Sequence, residues 1–293
     1  MLPINLKDYV LKWFAEDCPT FDYSGFVIGN EKKTSTLSIK SSCVLAGVPF
    51  FDKVFSLADC EVKWMFKEGD SISVEPDSRL VLATVKGPLR KLLLGKRIAL
   101  NVLSRCTSIA TQTRKMVDIL KKAKYTGQLA GTRETTPGFR LVENYGMMVG
   151  GAHGHHYDLS TITFLKARHL EEQNSIMSGL KAARSAGGYS RKIAVKVANE
   201  KDALSAIESG ADIIVLDAVK IKYVKLVAWH ANQNATFEKH FIIECTGGIT
   251  PENVTSYISN DISVISTSWI HQGVPHIDFS LKTNEDDSRA KSK

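Results

Sequence analysis

The stretch KIAVKVANEKDALSAIESGADIIVLDAV, residues 192–219, decides the fold. It opens with a β-branched run at 192–197 and closes with a second apolar run at 211–219. The segment between these runs has apolar residues at helical spacing, with Asn199 as a suitable N-cap and Gly210 as a stop. A strand, a helix and a second strand at this spacing predict parallel pairing, as in an α/β sheet or barrel.

The same alternation continues toward the C-terminus. A helix is predicted to about residue 234, followed by the strand HFIIECTGGI at 240–249, which ends in a glycine pair. The segment TPENVTSYI at 250–258 is predicted to begin a helix, with a threonine cap and a proline in the first turn. DISVIST at 261–267 is predicted to be a further strand.

The chain has a different character before about residue 112. Three short segments have the composition of strands: CVLAGVPF (43–50), CEVKWMF (60–66) and RLVLATVKG (79–87). KEGD at 67–70 is a turn signal, and apolar residues then follow helical spacing from 89 to about 123, with predicted breaks. This part is predicted to be an α+β unit with an antiparallel sheet.

Composition limits the classes of protein that the chain could be. A chain of 293 residues with 43% hydrophobic and 24% charged residues is ordinary for a globular protein, and no apolar run is long enough for a membrane span. The five scattered cysteines lack a CxxC motif, which favours free thiols in a reducing compartment. We therefore expect a cytoplasmic location, with the nucleus as an additional one. The polar tail at 283–293 is predicted to be disordered.

The net charge of +7 would permit a nucleic-acid partner, an anionic membrane or a small acidic ligand. The basic residues do not form a stripe interleaved with aromatic residues, so a nucleic-acid partner is not expected. A small anionic ligand remains the simplest interpretation, and no membrane partner is predicted.

Charged residues recur in or just after the apolar runs of the second half. They are Arg133, Glu134, Lys166, Lys196 and Asp217. Because functional groups collect at the C-terminal ends of strands in α/β barrels, these residues and the pair Gly247-Gly248 predict a phosphate-handling site. Two simpler interpretations stay open: the glycine pair could be only a turn, and Asp217 could be a core carboxylate paired with a lysine.

GGAHGHHYD at 150–158 places His153, His155 and His156 close together. The segment has the composition of a loop and lacks the spacing of a zinc site on a helix. We therefore interpret these residues as hydrogen-bonding loop histidines.

Six segments carry a resemblance to a known family: ALNVLSRCTSIAT, GTRETTPGFR, VENYGMMVGGAHGHHYDL, ADIIVLDA, ECTGGI and HIDFSLK. Together, in one order from about residue 45 to 282, they resemble quinolinate phosphoribosyltransferase, also called carboxylating nicotinate-nucleotide pyrophosphorylase. The resemblance implies an α/β fold. An N-terminal α+β sandwich domain (1–112, with 272–282 returning to it) would precede an open α/β barrel of the type II phosphoribosyltransferase kind (113–271).

The resemblance also implies a reaction. Quinolinate and phosphoribosyl pyrophosphate, with Mg²⁺, would give nicotinate mononucleotide, pyrophosphate and CO₂, a step of NAD biosynthesis. The family implies a homodimer or higher homo-oligomer whose subunits share active sites.

Residue roles follow from the resemblance alone. Substrate binding would fall to Arg105, Arg133, His155 and His156, catalysis to Lys166 and Asp217, and 5′-phosphate binding to Thr246, Gly247, Gly248, Ser266, Thr267 and Ser268. Arg105 would reach into the neighbouring subunit's site, and Asp217 would hold either the ribose or the magnesium.

Several positions depart from the family pattern. Glu134 stands where the family has a lysine, His156 where it has an arginine, Lys196 where it has an acidic residue, and Ala218 where it has an asparagine. Ala167 and Arg168 likewise replace an aspartate and an asparagine. Reversed charges at a site that assembles anions predict weakened or lost catalysis, that is, a pseudoenzyme.

Alternatives remain open at this point. Glu134 and Lys196 could pair across one pocket, which would keep the fold stable while the site goes silent. Alternatively, the Lys196 ammonium could stand where magnesium would, giving a metal-independent or altered activity. One function class is thus an enzyme that makes nicotinate mononucleotide or acts on a related pyridine acid. The other class is a non-catalytic protein that senses a nucleotide-like ligand or assembles with an active relative.

Overall fold

The structure is a computed structural model that describes residues 2–217, Lys225, Trp229 and 241–283. The contacts of the chain divide it into two units: Met1–Thr111, Gly138–Gly150 and Pro275–Lys293 form the first, and Gln112–Pro137 and Gly151–Val274 form the second. Residues 138–150 thus group with the first unit, although the predicted barrel range includes them. Ala218, most of the predicted helix up to residue 234 and residues 284–293 of the predicted tail lie outside the described residues.

The first unit is built on a four-stranded antiparallel sheet. Its described strands are β1 (Lys32–Ile39), β3 (Glu61–Trp64), β5 (Leu80–Pro88) and β12 (Phe279–Thr283), in the order β12-β1-β5-β3. A separate pair joins β2 (Cys43–Val44) to β4 (Ser71–Ile72). The helices are α1 (Leu6–Asp17), α2 (Tyr23–Val27), α3 (Val48–Leu57), α4 (Leu89–Lys122) and α5 (Arg140–Gly150). Strand β12 comes from the end of the described chain and pairs with β1.

Two details of the first unit differ from the sequence-based prediction. The apolar segment 43–50 is a strand only at Cys43–Val44, and helix α3 begins at Val48. Gly47 has a φ of +102°, and the carboxylate of Glu68 accepts hydrogen bonds from the backbone N–H groups of Gly47 (2.8 Å) and Val48 (2.9 Å). This cap from a distant turn starts the helix. Helix α4 runs through 34 residues without the predicted breaks.

The second unit contains a six-stranded parallel sheet in the order β6-β11-β10-β9-β8-β7. The strands are β6 (Gln128–Ala130), β7 (Thr163–Leu165), β8 (Ile193–Val197), β9 (Ile213–Asp217), β10 (Ile242–Thr246) and β11 (Val264–Ser266). The helices are α6 (Ala167–Glu171), α7 (Ile176–Gly187) and α8 (Glu200–Glu208), with a 3-10 helix at Val254–Tyr257. Because β6 and β7 stand at the two edges of the described sheet, the α/β fold with an open parallel sheet is confirmed.

The segment β8-α8-β9 forms as the sequence predicts. The Asn199 side chain accepts a hydrogen bond from the Asp202 amide, and Gly210 adopts a φ of +87° where the helix has ended. The prediction of a helix at 250–258 was wrong, since a turn at Pro251 leads into the four-residue 3-10 helix. The Thr250 amide there donates to the Asn253 side chain at 2.8 Å. No α-helical N-terminus therefore follows the glycine pair.

All five cysteines are free thiols, and four of them are buried. Among the described residues, no helix has the length and apolarity that crossing a membrane requires.

Candidate functional site

A cavity of about 750 Å³ opens at the C-terminal ends of the parallel strands. Most of the residues predicted for the site line it: Arg133, Glu134, His155, His156, Lys166, Lys196, Asp217, Thr246, Gly247, Gly248, Ser266, Thr267 and Ser268. These residues end a strand of the second unit or lie on a loop beside one, and Lys196 lies one residue before the end of β8, because parallel strands bring their carboxyl ends to one edge. The structure therefore brings these residues together around one cavity, and their roles stay predictions.

The glycine pair forms a polar turn at one side of the pocket. Gly247 and Gly248 have φ values of +99° and +63°, a conformation that other residues rarely adopt. A Cβ atom at Gly248 would meet no atom within 4 Å, so the backbone conformation, and not crowding, calls for glycine there. The turn can direct backbone N–H groups at an anion without a helix.

The threonine hydroxyl groups beside this turn form hydrogen bonds within the protein. Thr267 Oγ1 donates to the Ile249 carbonyl at 2.6 Å, and Thr246 Oγ1 donates to the Ser266 carbonyl at 3.3 Å. The backbone N–H of Trp269 donates to Thr267 Oγ1 at 3.0 Å. These bonds tie the loops after β10 and β11 together, so the threonines fix the shape of the turn.

Glu244 is a residue of the site that the sequence reasoning missed. Its carboxylate, only 7% exposed, lies 3.0 and 3.2 Å from His155 Nε2 and accepts a 2.5 Å hydrogen bond from Ser266 Oγ. An ionised carboxylate requires that Nε2 carry the proton, which leaves Nδ1 of a neutral His155 as an acceptor. That buried Nδ1 has no hydrogen-bond partner. The available signal was a charged residue inside the apolar run FIIEC.

His156 forms an uncharged aromatic wall of the pocket. Its ring stacks on Phe164 with 5.3 Å between centroids and 28° between planes, and it lies 4.3 Å from the ring of His155. Burial, with repulsion from His155 and Arg133, lowers the pKa of His156 to about 4. The imidazole is therefore neutral near pH 7, and its buried Nδ1 has no hydrogen-bond partner. It cannot reproduce the permanent charge or the double hydrogen bond of an arginine.

Lys196 and Asp217 form an ion pair within the pocket lining. The Lys196 ammonium lies 2.7 Å from Asp217 Oδ2, and the two side chains are 33% and 30% exposed. The alternative in which Lys196 pairs with Glu134 was wrong, although both residues line the cavity. Glu134 instead contacts the hydroxyl of Thr132. The structure agrees with the interpretation of Asp217 as a carboxylate paired with a lysine.

The residues present do not fit a protein-held magnesium ion. Magnesium binds carboxylate and water oxygens, and the Asp217 carboxylate is engaged by an ammonium. Among residues 2–217, Lys225, Trp229 and 241–283, no group of three or more His, Cys, Asp or Glu residues is arranged to hold a metal ion.

Arg105 belongs to the first unit, whereas all the described residues that line the cavity belong to the second. On helix α4, its guanidinium binds Glu143 of α5 through Nε at 3.0 Å and through a terminal nitrogen at 2.9 Å. Glu143 is fully buried, so the pair fixes the direction of a guanidinium that stays 30% exposed. Its predicted role in a neighbouring subunit's site stays a prediction.

Comparisons with known proteins agree over nearly the whole chain. The family domain described as "Quinolinate phosphoribosyl transferase, N-terminal domain" matches residues 20–107, and the corresponding C-terminal domain matches residues 109–282. A nicotinate-nucleotide pyrophosphorylase [carboxylating] of Homo sapiens is 40% identical over 280 residues, which cover 96% of this chain and 92% of that protein. A protein of the same name from Dictyostelium discoideum is 39% identical over 294 residues, with 96% and 97% covered.

The fold of this chain is similar to that of solved structures. The crystal structure of NadC from Streptococcus pyogenes superimposes with a TM-score of 0.86 at 27% sequence identity, over 96% of this chain and 97% of that one. With two family domains matched and relatives at 39–40% identity, the chain belongs to the quinolinate phosphoribosyltransferase family.

Proposed function

We propose that this chain binds a single mononucleotide-type anion of the family reaction and that its quinolinate phosphoribosyltransferase activity is weakened or lost. The charge of the pocket lining carries the proposal. Among the described residues of the lining, three cationic side chains (Arg133, Lys166 and Lys196) are balanced by three carboxylates (Glu134, Asp217 and Glu244). With the histidines counted as uncharged, this described lining has no net formal charge. Such a pocket has little capacity to bring together a dicarboxylate and a phosphoribosyl pyrophosphate, which repel each other.

The turn at Gly247 and Gly248 supports binding of the phosphate. Its backbone donors do not depend on the altered side chains, and the bonds of Thr246 and Thr267 hold the turn in place. The exposed Lys166 ammonium lies in the same lining and supplies a positive charge. These groups suit one terminal phosphate.

The wall formed by His156 and Phe164 supports a planar base as the other end of the ligand. Flat rings stack well on such a surface, and the partnerless Nδ1 atoms of His155 and His156 offer hydrogen bonds. Arg133, whose buried Nε also has no hydrogen-bond partner, provides one permanent cation beside them. Nicotinate mononucleotide, with one phosphate and one ring carboxylate, meets these requirements.

Glu134 supports the loss of turnover. It lines the pocket where the family pattern has a lysine, so an attraction to the leaving pyrophosphate becomes a repulsion. At about 4 Å and an effective dielectric of about 20, one such contact is worth roughly 4 kcal/mol. A loss of a few kcal/mol in the transition state lowers a rate by about 10²- to 10⁴-fold.

A second candidate is a working enzyme with a rearranged site. The observation that favours it is the 39–40% identity to proteins named nicotinate-nucleotide pyrophosphorylases. A third role, assembly with an active relative, would use the Arg105 guanidinium that Glu143 orients. Homo-oligomerisation and a cytoplasmic location are part of the same proposal and rest on the family resemblance and the free cysteines.

Two measurements on the purified chain test the proposal. Isothermal titration calorimetry with nicotinate mononucleotide should give a dissociation constant in the micromolar to low millimolar range. Quinolinate consumption with phosphoribosyl pyrophosphate and Mg²⁺ should stay near background. No binding of nicotinate mononucleotide or phosphoribosyl pyrophosphate at millimolar concentration would refute the binding claim, and brisk consumption of quinolinate would establish the second candidate.

A further inference from the structure

Lys196 and Asp217 are placed together by the pairing of two parallel strands. Lys196 of β8 stands opposite Val215 of β9, and Asp217 lies two residues further along β9. Since side chains alternate between the faces of a strand, Val215 and Asp217 point to the same side. All three residues line the cavity. The pair is therefore a product of sheet register, and it faces the ligand space.

The pair changes what this corner of the pocket can bind. A carboxylate that accepts a 2.7 Å bond from an ammonium has its charge compensated, so it attracts a divalent cation less. A dication beside Asp217 would also be repelled by the Lys196 ammonium. The described residues offer no alternative group of three or more metal ligands.

Asp217 also compensates the charge of the ammonium, so the ammonium would bind an anion chiefly through its remaining N–H donors. It carries three N–H donors, and the bond to Asp217 uses one of them. The side chain is one-third exposed and lines the cavity, so the other donors are within reach of solvent or ligand. Asp217 holds the flexible side chain in one position, which lowers the entropy lost when an anion binds.

We propose that Lys196 is a built-in counter-ion and that this pocket binds phosphoribosyl anions without a divalent metal. The inference rests on the proposed function, because it concerns how the same pocket holds its ligand. It assigns Lys196 a positioning and ligand-binding role, with Asp217 as its anchor.

The test is calorimetric titration of phosphoribosyl pyrophosphate in either EDTA or excess MgCl₂. The wild-type dissociation constant should agree within about twofold between the two conditions. Removing the ammonium in Lys196→Met should weaken binding in EDTA by about tenfold or more, the loss of a charge-assisted hydrogen bond. In Lys196→Glu, a carboxylate beside Asp217 should make binding depend on Mg²⁺. Lys192→Glu is the matched control, since this exposed lysine just before β8 is absent from the pocket lining and should leave binding unchanged.

A separate readout follows the metal alone. Electron paramagnetic resonance of Mn²⁺ should show no saturable binding to the wild type and a bound ion in Lys196→Glu. Wild-type binding that is about tenfold tighter with Mg²⁺ than in EDTA, or an unchanged affinity of Lys196→Met in EDTA, would overturn the inference and leave the proposed function standing. If the wild type binds neither phosphoribosyl pyrophosphate nor nicotinate mononucleotide in any condition, both fail.

Discussion

Glu244 holds His155 through both carboxylate oxygens, at 3.0 and 3.2 Å from Nε2, while Ser266 donates to the same carboxylate at 2.5 Å. The three side chains come from β10, β11 and the histidine loop, so one buried carboxylate joins three segments of the site. This network sets the position of His155 and, through ring contact at 4.3 Å, that of His156. The shape of the pocket depends on a residue that need not touch the ligand.

Glu244→Ala should lower the free energy of unfolding by about 1–3 kcal/mol, because it leaves the His155 N–H and the Ser266 hydroxyl buried without an acceptor. Glu244→Gln keeps one acceptor oxygen and should cost less. Urea unfolding followed by circular dichroism gives both values. Glu208→Ala, on the exposed side of α8, is the control and should stay within about 0.5 kcal/mol of the wild type. Equal stability of Glu244→Ala and the wild type would show that the network is not needed.

The neutral state of His156 predicts a dependence of stability on pH. Its folded pKa of about 4 lies below the unfolded value of about 6.5, so between these values the unfolded chain binds a proton that the folded chain does not. Stability should therefore fall as pH decreases from about 6.5 to about 4. Allowing for solvent screening of this partly exposed ring, the contribution is on the order of 1 kcal/mol.

Thermal unfolding of the wild type and of His156→Asn across this pH range isolates the contribution. The variant should lose less stability on acidification than the wild type does. His153→Asn removes an exposed histidine of the same loop and should keep the wild-type slope. Identical slopes in all three proteins would contradict the assignment of a neutral His156.

The Gly247-Gly248 turn should bind the phosphate of the ligand. Gly248→Ala forces a side chain into a φ of +63°, which costs on the order of 1 kcal/mol and shifts the turn. We expect weaker binding of nicotinate mononucleotide and no change for its dephosphorylated riboside. Gly138→Ala is a matched control, since Gly138 also has a positive φ (+77°) with nothing within 4 Å of its Cβ, and it does not line the cavity. An equal loss for both ligands would show that the turn does not bind the phosphate.

Arg105 supports a prediction about assembly. Its guanidinium pairs with Glu143 and stays 30% exposed, and the family resemblance implies that it reaches a neighbouring copy. Light scattering at micromolar concentration should give at least twice the chain mass of 32.3 kDa. A strictly monomeric species would remove the basis for a shared site.

The sequence predicted the parts of the fold where local signals and tertiary packing agree. Segment β8-α8-β9 has β-branched runs, an Asn199 cap and a Gly210 stop, and the structure contains all of them. The prediction of a strand throughout segment 43–50 was wrong, because apolar residues alone do not distinguish a strand from a buried helix. The cap on α3 comes from Glu68, about 20 residues away, which no local pattern reveals.

The candidate site shows the same difference between features set by local sequence and features set by tertiary contacts. The residues that follow strands were found because parallel strands share one edge, and the resemblance then supplied their roles. The sequence suggested a lysine partner for Asp217 but not which lysine, because the pairing with Lys196 depends on the register of β8 against β9. Glu244 was missed although it is a charged residue inside an apolar run, because its role depends on contacts with His155 and Ser266 that the sequence does not show.

The most direct test of the central claim compares pyrophosphate release by the wild type and by a triple variant. The variant carries Glu134→Lys, His156→Arg and Lys196→Glu. Both proteins are assayed under one set of conditions with quinolinate, phosphoribosyl pyrophosphate and Mg²⁺. Each single change should have little effect, because residues that act as a unit are strongly non-additive. The account predicts release near background for the wild type and a clear increase for the triple variant. Substantial release by the wild type would contradict it.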